Sequence, residues 1–477
     1  MIDRRKHTIR DYRNVFRSIE CRQFDARIAA FNVKRLRDAA PNSAAVSLNA
    51  AVVSKVTWRL VPLLFFLYVV AYLDRINIGF AALQIRSQLR LSDASYGFAA
   101  GVFFAGYVLF QLPSNIALER IGARRWIAAL MVTWGVISSC MIFARAPWHL
   151  YVLRFMLGSA EAGFFPGIVF YLKGWFPTIT RARTMALFSA AGPMSAVIAG
   201  PLSGTLLGLH QAGLAGWQWM FLLEGVPAVF LGIGVFLYLT NTPKEAHWLS
   251  SEERAWLVSA LLEKCETPEV GIGSGSLKVF TSIHVWLMVL VYFGVNFAGY
   301  GITFWLPALI RSLSGVGTIS IGLLSAIPYA AALIVMVLAG AHADKSGEHR
   351  WHIAVPALFG ALALVSAGYS HSVTKLIAAV SLAIVAEFSI VGPFWALSTT
   401  IEPQHAAACI ALINSVGNLG GLLGSYAIGA LRNSNTGFRN GIIALGLGLG
   451  IAGCLAMFVR AQDHGLVRED AAGVIAT

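Results

Sequence analysis

Residues 151–177 read YVLRFMLGSAEAGFFPGIVFYLKGWFP. The stretch is long and apolar enough to cross a bilayer, yet it carries Arg154 and Glu161 inside it. Seven residues make about two turns of α-helix, so the two charges share a face roughly 10 Å apart along the axis. A charge at membrane depth costs at least ~2.5 kcal/mol, so it should face protein or a water-filled cavity. Such a pair marks a functional path, unless it is a buried ion pair that only holds helices together. Gly158, Gly163 and Pro166 add places for close helix contact or local bending.

The composition puts that stretch in a polytopic membrane protein. Of 477 residues, 57% are hydrophobic and only 12% charged, and the mean hydropathy is +0.69. A soluble chain is nearer one-quarter charged. A spanning helix needs ~20 mainly apolar residues, and twelve such segments can be drawn. They lie near 58–80, 96–118, 124–144, 148–175, 184–209 and 217–240, and then near 281–310, 319–341, 352–370, 374–400, 406–431 and 437–460. Lipid leaves no partner for open backbone, which excludes open sheets. The expected fold is therefore an all-α membrane protein with two six-helix bundles, at 57–240 and 281–460. Around them come a basic arm (1–56, disorder with some amphipathic helix), a polar linker (241–280, a surface helix and then the flexible GIGSGS) and a tail (461–477).

A net charge of +13 invites a nucleic-acid partner, but its distribution argues against one. Thirteen Lys and Arg residues lie in the first 59 positions, and many others sit in short loops between apolar spans. That is the positive-inside pattern, and with an even number of spans it puts both termini in the cytoplasm. The arm has no apolar core before a small-residue cleavage site, so it does not read as a signal peptide. The five cysteines form no CxxC pair and suggest neither a metal site nor a disulfide framework. No nucleophile–base pair or metal cluster gathers on one face, which argues against an enzyme.

Polar residues inside the other spans are the remaining candidates. The first span carries Asp74 beside Arg75, with Tyr72 and Asn77 close by. Neighbouring helical residues diverge by about 100°, so one can face a cavity while the other meets a neighbouring helix. A charge pair at the interface, snorkelling to water, is the alternative. The second span offers Tyr107 and Gln111 one turn apart, the sixth Glu224, the seventh Asn296 and Tyr300, the tenth Glu387, Trp395 and Ser398, and the eleventh Asn414 and Asn418. Amides and aromatics suit carbohydrate-like or aromatic acids, and they also serve as helix-packing glue. After the second span come Asn115, Glu119, Arg120, Gly122, Arg124 and Arg125. After the eighth come Gly340, Asp344, Lys345 and Gly347. The order acid, base, any residue, glycine recurs at the same place in each half, as in transporters built from two related bundles.

With twelve spans, this repeat and the loop NIALERIGARR, the chain resembles the major facilitator superfamily. Within it, YLDRINIGFA, FQLPSNIALERIGARRW, RART, GWQWMFLLEG, YGITFWLP and INSVGNLGG, together with residues 151–177, look like the anion:cation symporter family, near the tartrate, phthalate, 4-hydroxyphenylacetate and sugar-acid permeases. The resemblance runs from Trp58 to Arg460 and implies several roles. Asp74 and Glu161 fall on the family's proton-coupling acids, Arg75 on its carboxylate-binding arginine, and Arg154 on the fourth-helix arginine that tunes or pairs with the acids. Glu119, Arg120, Gly122, Arg124 and Arg125 fall on a cytoplasmic gating motif, of which Gly340, Asp344, Lys345 and Gly347 are the second copy. The departures, Asn115 and Ala123 for the usual glycine and arginine and no paired arginines in the second copy, bear on gate strength rather than on the fold.

The expected function is proton-coupled uptake of a small organic anion by a multi-pass monomer of the bacterial inner membrane. The proton is the coupling ion and no cofactor is needed. Anion exchange without protons and a substrate sensor that does not transport are the competing readings.

Overall fold

A computed structural model describes residues 43–262, 277–401 and 406–459. The GIGSGS stretch, the tail and the arm up to residue 42 lie outside the described residues. The chain divides after Lys55, and apart from the first turns of α1 every contact below lies within the second unit.

Twelve helical spans are long and apolar enough to cross a membrane: α1 (Asn49–Gln88), α2 (Asp93–Ile121), α3 (Ala123–Phe143), α4 (Pro147–Lys173), α5 (Thr184–Leu206), α6 (Gly216–Tyr238), α7 (Ile283–Leu313), α8 (Thr318–Ser346), α9 (Trp351–Gly368), α10 (Val373–Ile401), α11 (Ala408–Leu431) and α12 (Arg439–Ala456). Among the described residues there are no strands, and the one isolated bridge joins Asn433 to Gly437. The burial pattern inverts that of a soluble protein. Phe230, Phe359 and Leu362 are exposed, whereas Asp74, Arg154 and Glu161 are buried. That is the arrangement a hydrocarbon solvent selects.

Local chemistry explains the ends and bends. The side chain of Ser92 accepts a hydrogen bond from the Ser95 N–H at 3.1 Å and caps α2, with Asp93 in the first turn beside the positive end of the helix. Gly122 ends α2 at φ 89°, a conformation that favours glycine, and α3 begins on the next residue. Expected bending in the fourth span takes the form of a break, with helix over Pro147–Glu161 and again over Phe164–Lys173. Pro166 lacks an N–H for the Ala162 carbonyl and its ring crowds that oxygen, so the ladder opens directly after Glu161. The first linker residues form helix Ser251–Leu262, capped reciprocally by Ser250 and Glu253, and Trp248 stacks on Trp175 at 5.6 Å.

Packing repeats between the halves. In the first half α2 packs on α4 and α3 on α6; in the second α8 packs on α10 and α9 on α12. Two contacts of similar extent join the halves, α2 with α11 and α5 with α8, and exchanging the halves turns one into the other. In α5, Gly200 meets Gly322 of α8 backbone to backbone, whereas Gly192 borders open space.

Gly158 sets the α2–α4 approach, since a Cβ there would overlap the Phe103 carbonyl. Gly158→Ala should therefore cost about 1–3 kcal/mol through overpacking. It should be read as a lower melting temperature in detergent, and an unchanged one would contradict this packing.

Candidate functional site

The four helices α1, α2, α4 and α7 meet at one guanidinium. Arg75 is 8% exposed. Its Nη2 donates to Glu161 Oε2 at 2.8 Å, its Nε to the same oxygen at 3.2 Å, and its Nη1 to the Tyr300 hydroxyl at 3.4 Å. The rings of Tyr72, Phe103 and Tyr107 have their centroids 5.7, 5.2 and 5.4 Å from the guanidinium carbon. Aromatic faces stabilise a desolvated cation without neutralising it. The second oxygen of Glu161, Oε1, is buried with no hydrogen-bond partner. The helix break after Glu161 leaves this carboxylate at the C-terminal end of a helical segment, and Arg75 supplies the countercharge there.

Asp74 turns the other way, as the 100° divergence predicts. It is fully buried against α3, where the Ser138 hydroxyl donates to Oδ1 at 2.8 Å, and its Oδ2 has no partner. Both charges are buried in the protein, which is not what a pair snorkelling to water would show. Asn77 donates to Glu224 Oε2 at 3.0 Å and Ser203 donates to Glu224 Oε1 at 3.1 Å, so Glu224 ties α6 to α1 and α5.

Arg154 is fully buried. It donates to the main-chain carbonyls of Ala100 at 3.3 Å and Arg75 at 3.4 Å, while its Nε and Nη1 have no partner. Its guanidinium lies 5.0 Å from the Phe103 centroid, so one ring serves two cations. The carboxylate two turns along its own helix is held by Arg75 instead.

The other candidates fall in several places. Gln111 accepts from Ser415 at 3.1 Å and so bridges α2 to α11. Asn418 donates to the main-chain and side-chain oxygens of Asn414 at 2.7 and 3.0 Å. Asn296 donates to the Tyr292 carbonyl at 2.9 Å, and Tyr292 in turn faces Trp395 at 5.2 Å. Ser398 is fully buried and donates to the Trp395 carbonyl at 2.8 Å, within its own helix. In the α2–α3 loop Glu119, Arg120 and Arg125 are exposed, whereas the Arg124 side chain donates to the Phe236 carbonyl at 2.6 Å and its backbone N–H donates to Asn241 Oδ1 at 3.2 Å. In the second copy Asp344 and Lys345 are exposed and Gly347 caps α8 at φ 66°, with Gly340 one helical stretch earlier.

Sequence reasoning passed over Phe103, Ser138 and an ionic cluster at the end of the molecule formed by the α1–α2 and α11–α12 turns. Phe103 lies one turn before Tyr107 on the face that carries Gln111, which was a readable signal. In the cluster, Arg432 Nη1 donates to Asp93 at 2.7 and 2.8 Å, and Arg86 pairs with the same carboxylate. Beneath it the Tyr96 hydroxyl donates to the Phe304 carbonyl at 2.9 Å and the Trp305 indole to the Ser425 carbonyl at 2.9 Å. These contacts fasten α1 and α2 to α7 and α11 and close that end.

Residues 64–425 match the family model of the Major Facilitator Superfamily. The chain belongs to the major facilitator superfamily. Two relatives agree with this placement. A provisionally named tartrate transporter of Agrobacterium vitis is 43% identical over 400 residues, covering 83% of this chain and 88% of that protein. A provisionally named metabolite transport protein of Pseudomonas putida, NicT, is 43% identical over 386 residues, covering 80% and 88%. The bacterial homologue of the human lysosomal transporter Spinster, solved inward-facing and unoccupied, superposes with TM-score 0.71 at 19% identity, covering 86% of this chain and 97% of that one. This major facilitator protein is thus a multi-pass membrane transporter of a small substrate and not an enzyme.

Proposed function

We propose that the protein takes up a small organic anion together with protons across the bacterial inner membrane, by alternating access. The substrate class is a tartrate-like hydroxy acid, a sugar acid or an aromatic carboxylate. The observation that carries the reading is the sharing of Arg75 between Glu161 of the first half and Tyr300 of the second. Arginine's planar fork suits a carboxylate, and a substrate carboxylate that binds Arg75 must compete with Glu161. Protonating Glu161 removes the charge that holds Arg75, so proton and substrate each favour the other's binding, as linkage requires. Aromatic walls from Tyr72, Phe103 and Tyr107 exclude water, and Gln111 and the Asn414–Asn418 pair offer partners for substrate hydroxyls. The tartrate name of the Agrobacterium relative supports the hydroxy-acid class.

A thermal-shift screen of the purified protein against tartrate, sugar acids and aromatic acids tests the class, because a ligand of the native state raises its melting temperature. The acid that shifts it should also drive counterflow in proteoliposomes. A set of such acids giving neither shift nor counterflow would sink the assignment.

The proposal places both termini in the cytoplasm and the ionic cluster around Asp93 on the outside. The α2–α3 turn carries Arg120, Arg124 and Arg125, which the positive-inside rule assigns to the cytoplasm, and an even number of spans then puts both termini on that side. A single cysteine introduced by Ser43→Cys should resist an impermeant reagent added to intact cells and react once the cells are opened. Efficient labelling of intact cells would invert the topology.

A further inference from the structure

The repeat extends from the packing of the helices to their charges. Glu161 stands 14 positions after the start of α4 (161 − 147), and Glu387 stands 14 positions after the start of α10 (387 − 373), the corresponding helix of the second half. Likewise Arg75 lies 13 positions before the end of α1 (88 − 75), and Tyr300 lies 13 before the end of α7 (313 − 300). The second half thus keeps the acid and replaces its arginine by a tyrosine. Glu387 has no ion pair or hydrogen bond among the described contacts. Its carboxyl presses on Gly299, where a Cβ would overlap both carboxyl oxygens, so it reaches α7 one residue from Tyr300.

We propose that Glu387 is a proton-binding site of the second bundle, standing behind the Arg75–Tyr300 contact. The proposal rests on the proton-coupled reading above. Chemistry selects the ligand. The small cavity around Glu387 is lined by Ala298, Gly299 and Ile302 of α7, Leu364 of α9, Ala383 of α10 and Leu449 of α12. None of these side chains offers an oxygen, and a metal cation needs several oxygen ligands. A lone carboxylate in apolar surroundings is costly to bury when charged, and a single proton relieves that cost. Tyr72 of α1 and Tyr329 of α8 are near enough to interact with it electrostatically, and Tyr300 follows Gly299; the side chains that line its cavity include no Lys, Arg or His. Glu387 is also partly accessible, so a proton has a way in. In the first half Arg75 pairs with the acid and neutralises it. Among the described residues of the second half no cation pairs with Glu387, and a proton takes that part.

Infrared difference spectra of the purified protein between alkaline and acidic buffer test this without requiring transport. Glu387→Gln should remove the protonated-carboxyl absorption of one group from the wild-type spectrum, and Glu161→Gln should leave that component in place. Glu387→Asp keeps an acid but withdraws it from Gly299, so it should shift the component instead of removing it. A carboxyl spectrum unchanged in both Glu387 variants overturns the proposal. Failure of the coupling reading would look different: the wild-type protein would ignore an imposed pH difference while the Glu387 component still appeared.

Discussion

Arg75→Lys is expected to weaken binding of the substrate acid by roughly ten- to a hundredfold, the range set by losing about 1.5–3 kcal/mol of charge-assisted hydrogen bonding. The lysine keeps a positive charge but cannot face Glu161 and Tyr300 from one planar group, as the guanidinium does with Nη2 at 2.8 Å and Nη1 at 3.4 Å. Arg75→Ala should also destabilise the protein, because removing one partner of a buried pair strands the other at a cost of about 3–5 kcal/mol. Combining it with Glu161→Gln separates the two effects. The double variant should regain much of the stability, since no buried charge is left behind, yet it should still bind substrate poorly. Titration calorimetry and melting curves on the same preparations check both points. Near-normal binding by Arg75→Lys and Arg75→Ala would remove Arg75 from the site.

The second large effect concerns coupling. Glu161→Gln imitates a permanently protonated acid, so Arg75 is released and the titration is lost. This variant should bind substrate and exchange it in counterflow, while its accumulation under an imposed pH difference falls to equilibration. Asp74→Asn should behave alike. Asp74 lies on the other side of α1 against Ser138, so its effect passes through α1 rather than through the Arg75 contact. A purely structural role predicts the reverse pattern: a lower melting temperature with pH-driven transport per folded molecule unchanged. If both variants keep full pH-driven accumulation, anion exchange or another coupling ion becomes the better reading.

Much of this architecture is legible in the chain because the bilayer imposes it. A span needs a minimum apolar length, and the observed helices from Asn49–Gln88 to Arg439–Ala456 overlie the expected segments. The charges at membrane depth stand out for the same reason. What the sequence does not show is who meets whom. Arg154 and Glu161 share a helix face in the sequence, but the carboxylate is held by Arg75 of another helix, and Arg154 spends its donors on carbonyls. Such pairings depend on how helices rotate against one another, which here is set by close approaches such as Gly158 against Phe103. Periodicity within one helix cannot report them. The Asp93 cluster was missed for a related reason. Asp93 reads as an ordinary acid in a first helical turn, and its two arginine partners come from α1 and from the end of α11, more than 300 residues away for Arg432 (432 − 93 = 339). Glu387 was visible as an acid inside a span, but its correspondence to Glu161 emerges only once the helix ends are fixed.

The central claim is that substrate and proton move together. The most direct measurement adds the substrate acid, at equal pH on both sides and with the membrane potential clamped, to proteoliposomes containing a trapped pH dye. Coupled transport predicts that the interior acidifies as substrate enters. It also predicts that Glu161→Gln abolishes this signal while counterflow persists. Substrate entry with no movement of protons would contradict the account.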